Sequence, residues 1–283
     1  MKTSTSKRLR WNIAIWLAAG LFMTGTSGMA SGPIMPDPKA EARHQPQVEE
    51  TANSIPLVNI TAPSSGGVSR NEYETFNVPG KGAILNNSYT LSKTELAGYV
   101  QGNNNMAERP AKIIVNEVTG AGPTSMDGFL EVAGNRADVV IANPNGITVN
   151  GGGFINTGKA FLTTGKPVYD GEDHLQRFDI TGGDILIEGK GLGGKETGSL
   201  AILSRAVKIN AGIWAKDLHI TTGANTVDAK TLEASAIEGK GERPAFALDT
   251  AAIGGMYAGR ITLVGTEKGL GVNNSGTWSA EDN

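Results

Sequence analysis

What most restricts the fold of this chain is how short its apolar runs are. Between residues 113 and 264 the aliphatic side chains come in blocks of three or four, at 113–115, 139–141, 147–149, 185–187, 200–203, 207–209, 218–220 and 261–264, broken by Gly or Asn. Many blocks alternate with polar residues, as in Asp184-Ile185-Leu186-Ile187-Glu188 and Val207-Lys208-Ile209-Asn210. That is the period-two pattern of a strand with one buried face. Helical periodicity is weak, and a turn or two is expected only near 91–96 and 233–237. Glycine supplies 39 of 283 residues, about twice its usual ~7% share, which suits a chain with many tight corners. The pattern predicts an all-β fold in one domain. A sandwich and a parallel β-helix both fit. Three-residue strands with Gly or Asn at each corner favour the β-helix, whose coils stack in register. Thr181-Gly182-Gly183 and Ala211-Gly212 are expected corners, where unusual backbone angles call for glycine.

The N-terminus carries an export signal. Lys2, Lys7, Arg8 and Arg10 precede an apolar run at 13–23 and the small-residue stretch Gly28-Met29-Ala30. This predicts a signal peptide over 1–30, cleaved after Ala30; the run is too short to span a bilayer comfortably. Residues 31–53, with Pro33, Pro36, Pro38 and Pro46 and few aliphatics, are expected to form a flexible leader. Order is then expected from Ile55, in a folded domain over 54–283. Removing 1–30 leaves 21 basic against 28 acidic residues, a net charge of −7, which argues against a nucleic-acid partner. The chain has no cysteine. In an oxidising periplasm that keeps it free of cross-links and threadable. His44, His174 and His219 are far apart in sequence and show no ligand spacing, so neither a metal nor a cofactor is expected.

Enzyme-like motifs fail on context. Gly189-Lys190-Gly191-Leu192-Gly193-Gly194 fits G-x-G-x-x-G, but the dinucleotide fingerprint needs a helix next, and Lys195-Glu196-Thr197-Gly198 leads into another strand. The run from Gly153 to Lys159 nearly matches a phosphate-binding loop, yet Ala160 stands where a Ser or Thr should hold magnesium. Asp170, Glu172 and Asp173 are expected to be solvated acids between strands. No G-x-S-x-G elbow occurs, and no catalytic residue is assigned. The sharpest local signal is Asn143-Pro144-Asn145-Gly146-Ile147. Pro144 restricts the backbone, Asn143 is driven to an extended conformation, and Asn145-Gly146 completes a tight turn between two strands.

These residues, with Asn150-Gly151-Gly152-Gly153-Phe154-Ile155-Asn156-Thr157 and Leu162-Thr163-Thr164-Gly165, closely resemble the two-partner secretion domain that opens filamentous haemagglutinins, related haemolysins and contact-dependent inhibition proteins. Further stretches agree in order: Phe76-Asn77-Val78, Ile84-Leu85-Asn86-Asn87-Ser88, Asn116-Glu117-Val118-Thr119, Leu130-Glu131-Val132-Ala133-Gly134 and Gly254-Gly255-Met256-Tyr257-Ala258-Gly259. The family's first Asn-Pro-Asn motif aligns with Asn103-Asn104-Asn105-Met106, where Asn104 replaces proline. A cysteine pair of some relatives aligns with Val149 and Gly152.

The resemblance implies a right-handed parallel β-helix with N-terminal capping strands and extra-helical hairpins. It implies export by the Sec machinery through the periplasm, engagement of the POTRA domains of an outer-membrane barrel transporter, and arrival at the cell surface or in the medium. Asn143 to Ile147 then either contact the transporter or build a turn the fold requires, and turn chemistry favours the second. An adhesin domain that binds host surface ligands directly and a polysaccharide lyase are the alternatives. Contact with a host cell surface would otherwise belong to a downstream passenger. The strand-and-turn character of 271–278, without a polar cap, leads us to expect a fragment of a longer protein, or else a short stand-alone member.

Overall fold

Three-residue apolar blocks cannot each bury a face alone; they do so by stacking. A computed structural model of the chain describes residues 32–107 and 109–281, so the signal peptide expected over 1–30 lies outside the described residues. Successive strands wind into three parallel faces, which makes the chain a β-helix. The first face stacks Val68–Phe76, Ile113–Val118, Ala137–Ala142 and Thr157–Thr163. The second stacks Thr124–Met126, Ile147–Val149, Asp184–Ile187, Ala206–Ile209, Phe246–Thr250 and Gly271–Asn274. The third stacks Pro56–Asn59, Ala83–Asn87, Phe129–Gly134 and Gly152–Ile155. Leu192–Ser204, Gly212–Thr222 and Gly255–Gly265 are long enough to run along the third face and on into the first. Every apolar block named from the sequence falls in one of these strands.

The coil length shows in the register of the second face. Ile147 pairs with Thr124, 23 residues earlier; Ala206 with Asp184, 22 earlier; Gly271 with Phe246, 25 earlier. Two longer intervals contain excursions. Lys166–Tyr169 and Leu175–Ile180 form one hairpin, Asn225–Asp228 and Ala234–Ala236 another, and the two join antiparallel into a four-stranded sheet. A third excursion is the hairpin Ser92–Thr94 with Gly98–Val100. The segments 91–96 and 233–237, expected to carry helical turns, are therefore hairpin strands in part; pairing with a neighbour overrides a weak local propensity.

Alternation explains the two largest apolar clusters. In Ala137–Ala142, Val139 and Ile141 point into the coil, while Val140 and Ala142 lie in a second cluster with Phe161, Phe178, Ala201, Leu203 and Val227 under the four-stranded sheet. The interior stacks by register, as in Ile147, Ile185, Val207 and Leu248, all at most 3% exposed.

The segment 32–53, expected to be part of a flexible leader over 31–53, corrects the sequence reading. It is ordered, with strand Ile34–Pro36 antiparallel to Val68–Phe76 and strand Gln47–Glu50 antiparallel to Pro56–Asn59. Between them a short 3-10 turn, Ala42–His44, buries His44. These strands pair the ends of the large sheet and are the N-terminal cap. Composition mispredicted them because their partners lie elsewhere in the chain. Glycine also needs a correction. Gly183 has φ +78° as a corner requires, and Ala211 lies in a bend, but Gly212 already opens the strand Gly212–Thr222, and its missing side chain serves a different purpose, described below.

Candidate functional site

Asn143 to Ile147 form the corner between the first and second faces. Asn143 is fully buried, while Pro144 and Asn145 are exposed. The Asn145 backbone N–H donates to Asn143 Oδ1 (2.9 Å), and the Gly146 N–H to the Asn143 carbonyl (3.1 Å), which closes the turn. Gly146 adopts φ +109°, a conformation that disfavours any side chain. The Asn143 amide then reaches down one coil, donating to the Gly122 carbonyl (3.0 Å) and Thr124 Oγ1 (3.0 Å). Asn145 Nδ2 donates to the Gly120 carbonyl (2.8 Å). The motif thus bolts its corner to the corner of the coil beneath.

That lower corner immediately follows Asn116-Glu117-Val118-Thr119, so the structure brings these two motifs together. Asn116 is buried, donates to the Val140 carbonyl (3.1 Å) and accepts from the Tyr73 hydroxyl (3.0 Å). Thr119 Oγ1 donates to Asp37 Oδ2 (2.6 Å), tying the cap segment to the corner. This bond holds the Asp37 carboxyl below its usual range.

The first motif does not join them. Asn103-Asn104-Asn105-Met106 lies in the excursion between the third-face strand Ala83–Asn87 and the first-face strand Ile113–Val118. It repeats the same local design. Asn103 is buried, its Oδ1 accepts the Asn105 N–H (3.0 Å), and the Met106 N–H reaches the Asn103 carbonyl (3.1 Å). Its amide donates to the Ile60 (2.8 Å) and Asn86 (3.0 Å) carbonyls. The side-chain turn forms with Asn104 in the proline position, so Asn103 and not the residue after it carries the geometry.

Sequence reasoning missed an ionic cluster at Glu117. Glu117 Oε2 lies 3.5 Å from Arg70, whose guanidinium also pairs with Glu72 (2.8 Å) and sits over the Tyr169 ring. His44 Nδ1 lies 3.1 Å from Glu72 and Nε2 3.9 Å from Asp173, and Asp173 pairs with Arg43 (2.9 Å). Asp173, expected to be solvated, is thus a clasp between the cap and a hairpin. The partners lie up to 130 residues apart, and alternation alone could only have placed Arg70 and Glu72 on one strand face. Among the described residues no group of His, Asp and Glu side chains converges as a metal site.

Burial raises the Glu117 carboxyl above its ordinary value; Arg70 opposes this and Glu72 adds to it. A raised folded-state value means that the folded chain holds the proton longer than the unfolded one. The stability this contributes is complete below the ordinary carboxylate value and is lost as pH rises through the folded one. Glu117→Gln removes that term. Between about pH 4 and pH 7 the denaturant midpoint of the wild type should lose ground to that of the variant as pH rises; a difference that does not change with pH would refute the assignment.

Of the enzyme-like runs, the one at 189–194 leads into the strand Leu192–Ser204 and the one at 153–160 lies within Gly152–Ile155 and Thr157–Thr163, with no helix after either. The positions aligned with the relatives' cysteine pair do adjoin: a Cβ at Gly152 would come 2.9 Å from Val149 Cγ1.

Comparison with known proteins agrees with this geometry. The chain is 47% identical over 253 residues to "Toxin CdiA" of Yersinia pestis, covering 89% of this chain and 8% of that protein. It is 47% identical over 249 residues to "16S rRNA endonuclease CdiA" of Enterobacter cloacae, covering 87% and 8%. The chain therefore spans about 8% of the length of these relatives. A crystal structure of a filamentous hemagglutinin secretion domain superposes with a TM-score of 0.79 at 35% identity, covering 88% of this chain and 84% of that one. The family described as TPS secretion domain matches residues 33–283, cap segment included, so the domain starts well before the expected residue 54. With its strands coiled, its corner motifs in place and its cap within the matched span, this chain belongs to the TPS secretion domain family.

Proposed function

We propose that this domain addresses an exported protein to an outer-membrane transporter, by contact with the transporter's periplasmic POTRA domains, and that its coils start the folding of whatever follows. The observation that carries this is the family match over residues 33–283, joined to a 35%-identical secretion domain of the same fold. Delivery begins with Sec export through the periplasm and ends at the cell surface or in the medium. The N-terminal basic and apolar run and the absence of cysteine support that route. The nuclease named for a relative is a property of a protein of which this chain covers 8%; we place no catalysis in this segment. The two corner motifs act first by holding the coil in register, because their Asn side chains are spent on turns and on the neighbouring coil.

Co-expression tests the central claim. Produced with a transporter of this class encoded beside its gene, the full chain should appear in the medium. Without the transporter, or with its POTRA domains deleted, it should remain in the periplasm. Release that is indifferent to the transporter would refute the proposal.

A further inference from the structure

The third face carries a feature that lies apart from the corner motifs. Trp214 and Tyr257 stand in register on adjacent coils, their ring planes 15° from parallel and their centroids 6.1 Å apart. Glycines make room for them. A Cβ at Gly212 would come within 2.5 Å of the Trp214 ring, and one at Gly255 within 2.7 Å of the Tyr257 hydroxyl. Gly212 and Gly255 are themselves register partners. Each ring therefore lies back along its own strand over a bare backbone. Tyr257 keeps 38% of its surface exposed, an exposure that stacking the coil does not require.

The rings line an open depression of about 600 Å³ whose other walls are mostly polar, with Ala215 and Ala258 between them. Lys195, Lys216, Arg260, Asp217 and Glu281 line it, with Ser279 in register beside Tyr257. Arg260 Nε and Nη2 both contact Asp217 Oδ1 at 2.9 Å, so Oδ2 stays outside the pair. An apolar ring floor beside planar, hydrogen-bonding side chains matches a ligand that is apolar on one face and ringed by hydroxyls. A pyranose sugar has that form: its C–H face lies on an aromatic ring, and its hydroxyls both donate to a carboxylate and accept from a guanidinium. Three cations against two anions leave the cleft nearly neutral, unlike a site for a polyanionic glycan. We infer that the Trp214–Tyr257 cleft is a binding site for an uncharged oligosaccharide.

Saturation-transfer NMR and calorimetry on the full chain test this, with maltotriose, cellotriose and N,N′,N″-triacetylchitotriose as uncharged probes and a hyaluronan tetrasaccharide as the charged one. At least one uncharged probe should bind, with transfer strongest to its ring C–H protons. Trp214→Ala and Tyr257→Ala should each weaken binding about tenfold or more, the cost of losing a stacked ring, and Trp214→Phe should restore most of it. Arg260→Ala, an exposed change that spares the coil, should weaken binding about fivefold, as expected for one lost hydrogen bond. It decides the question if an aromatic variant fails to fold by circular dichroism. No binding by any uncharged trisaccharide at 10-millimolar order, binding unaltered by Arg260→Ala, or preference for hyaluronan would each overturn the inference.

Discussion

Ile185→Asp should leave the chain exported to the periplasm but unable to reach the medium. Ile185 is fully buried between Ile147 and Val207 in the interior column of the second face. A carboxylate there loses about 1.5–3 kcal/mol of apolar burial and buries an unpaired charge besides. Together these cost more than about 4 kcal/mol. In a solenoid each coil is held by its neighbours, so a break at one coil uncouples those beyond it. If folding outside the cell draws the chain through the transporter, the secreted fraction should fall with stability. Ile253→Asp is the control: the side chain is 83% exposed, and a surface change of this kind stays within about 0.5 kcal/mol. Urea midpoints of the purified variants and the secreted fraction are the measurements. A destabilised Ile185→Asp chain secreted at the wild-type level would sever folding from transport.

Asn143→Ala and Asn145→Ala should separate, though the residues belong to one motif. Asn143 is fully buried and its side chain makes four hydrogen bonds: to Gly122, to Thr124, and from the backbone and side-chain amides of Asn145. Alanine removes all four bonds, worth about 0.5–1.5 kcal/mol each, and takes a partner from the buried Thr124 hydroxyl, so a loss of roughly 3 kcal/mol or more is expected, and secretion should fall with it. Asn145 is exposed and its amide holds Gly120 from outside; its removal should cost under about 1 kcal/mol. On the structural view the Asn145 variant folds and is secreted. A folded Asn145→Ala chain that no longer binds POTRA domains would instead make this side chain a transporter contact.

The relation between the two motifs shows what was legible beforehand. Asn103-Asn104-Asn105-Met106 keeps a turn-prone composition without its proline, a matter of local residue chemistry, and it turns through the Asn105 N–H on Asn103 Oδ1. That Asn143 to Ile147 rest on the corner after Thr119, while Asn103 sits at another corner, required the coil register. The same holds for the cap. Nothing near Pro33 or Pro46 announces a strand, because the atoms that order this segment belong to Val68–Phe76 and Pro56–Asn59.

From its residues alone the chain could be known as all-β, corner-rich and free of cross-links, since alternation, glycine and turn chemistry act over a few neighbouring positions. The tertiary structure decided where the domain begins, that Glu117, Arg70 and His44 share one ionic cluster, and that Trp214 and Tyr257 stand side by side. The reason is distance along the chain. A solenoid returns to the same face only every 22 to 25 residues, and later where an excursion intervenes. Its decisive contacts are therefore made between residues whose local patterns carry no trace of each other.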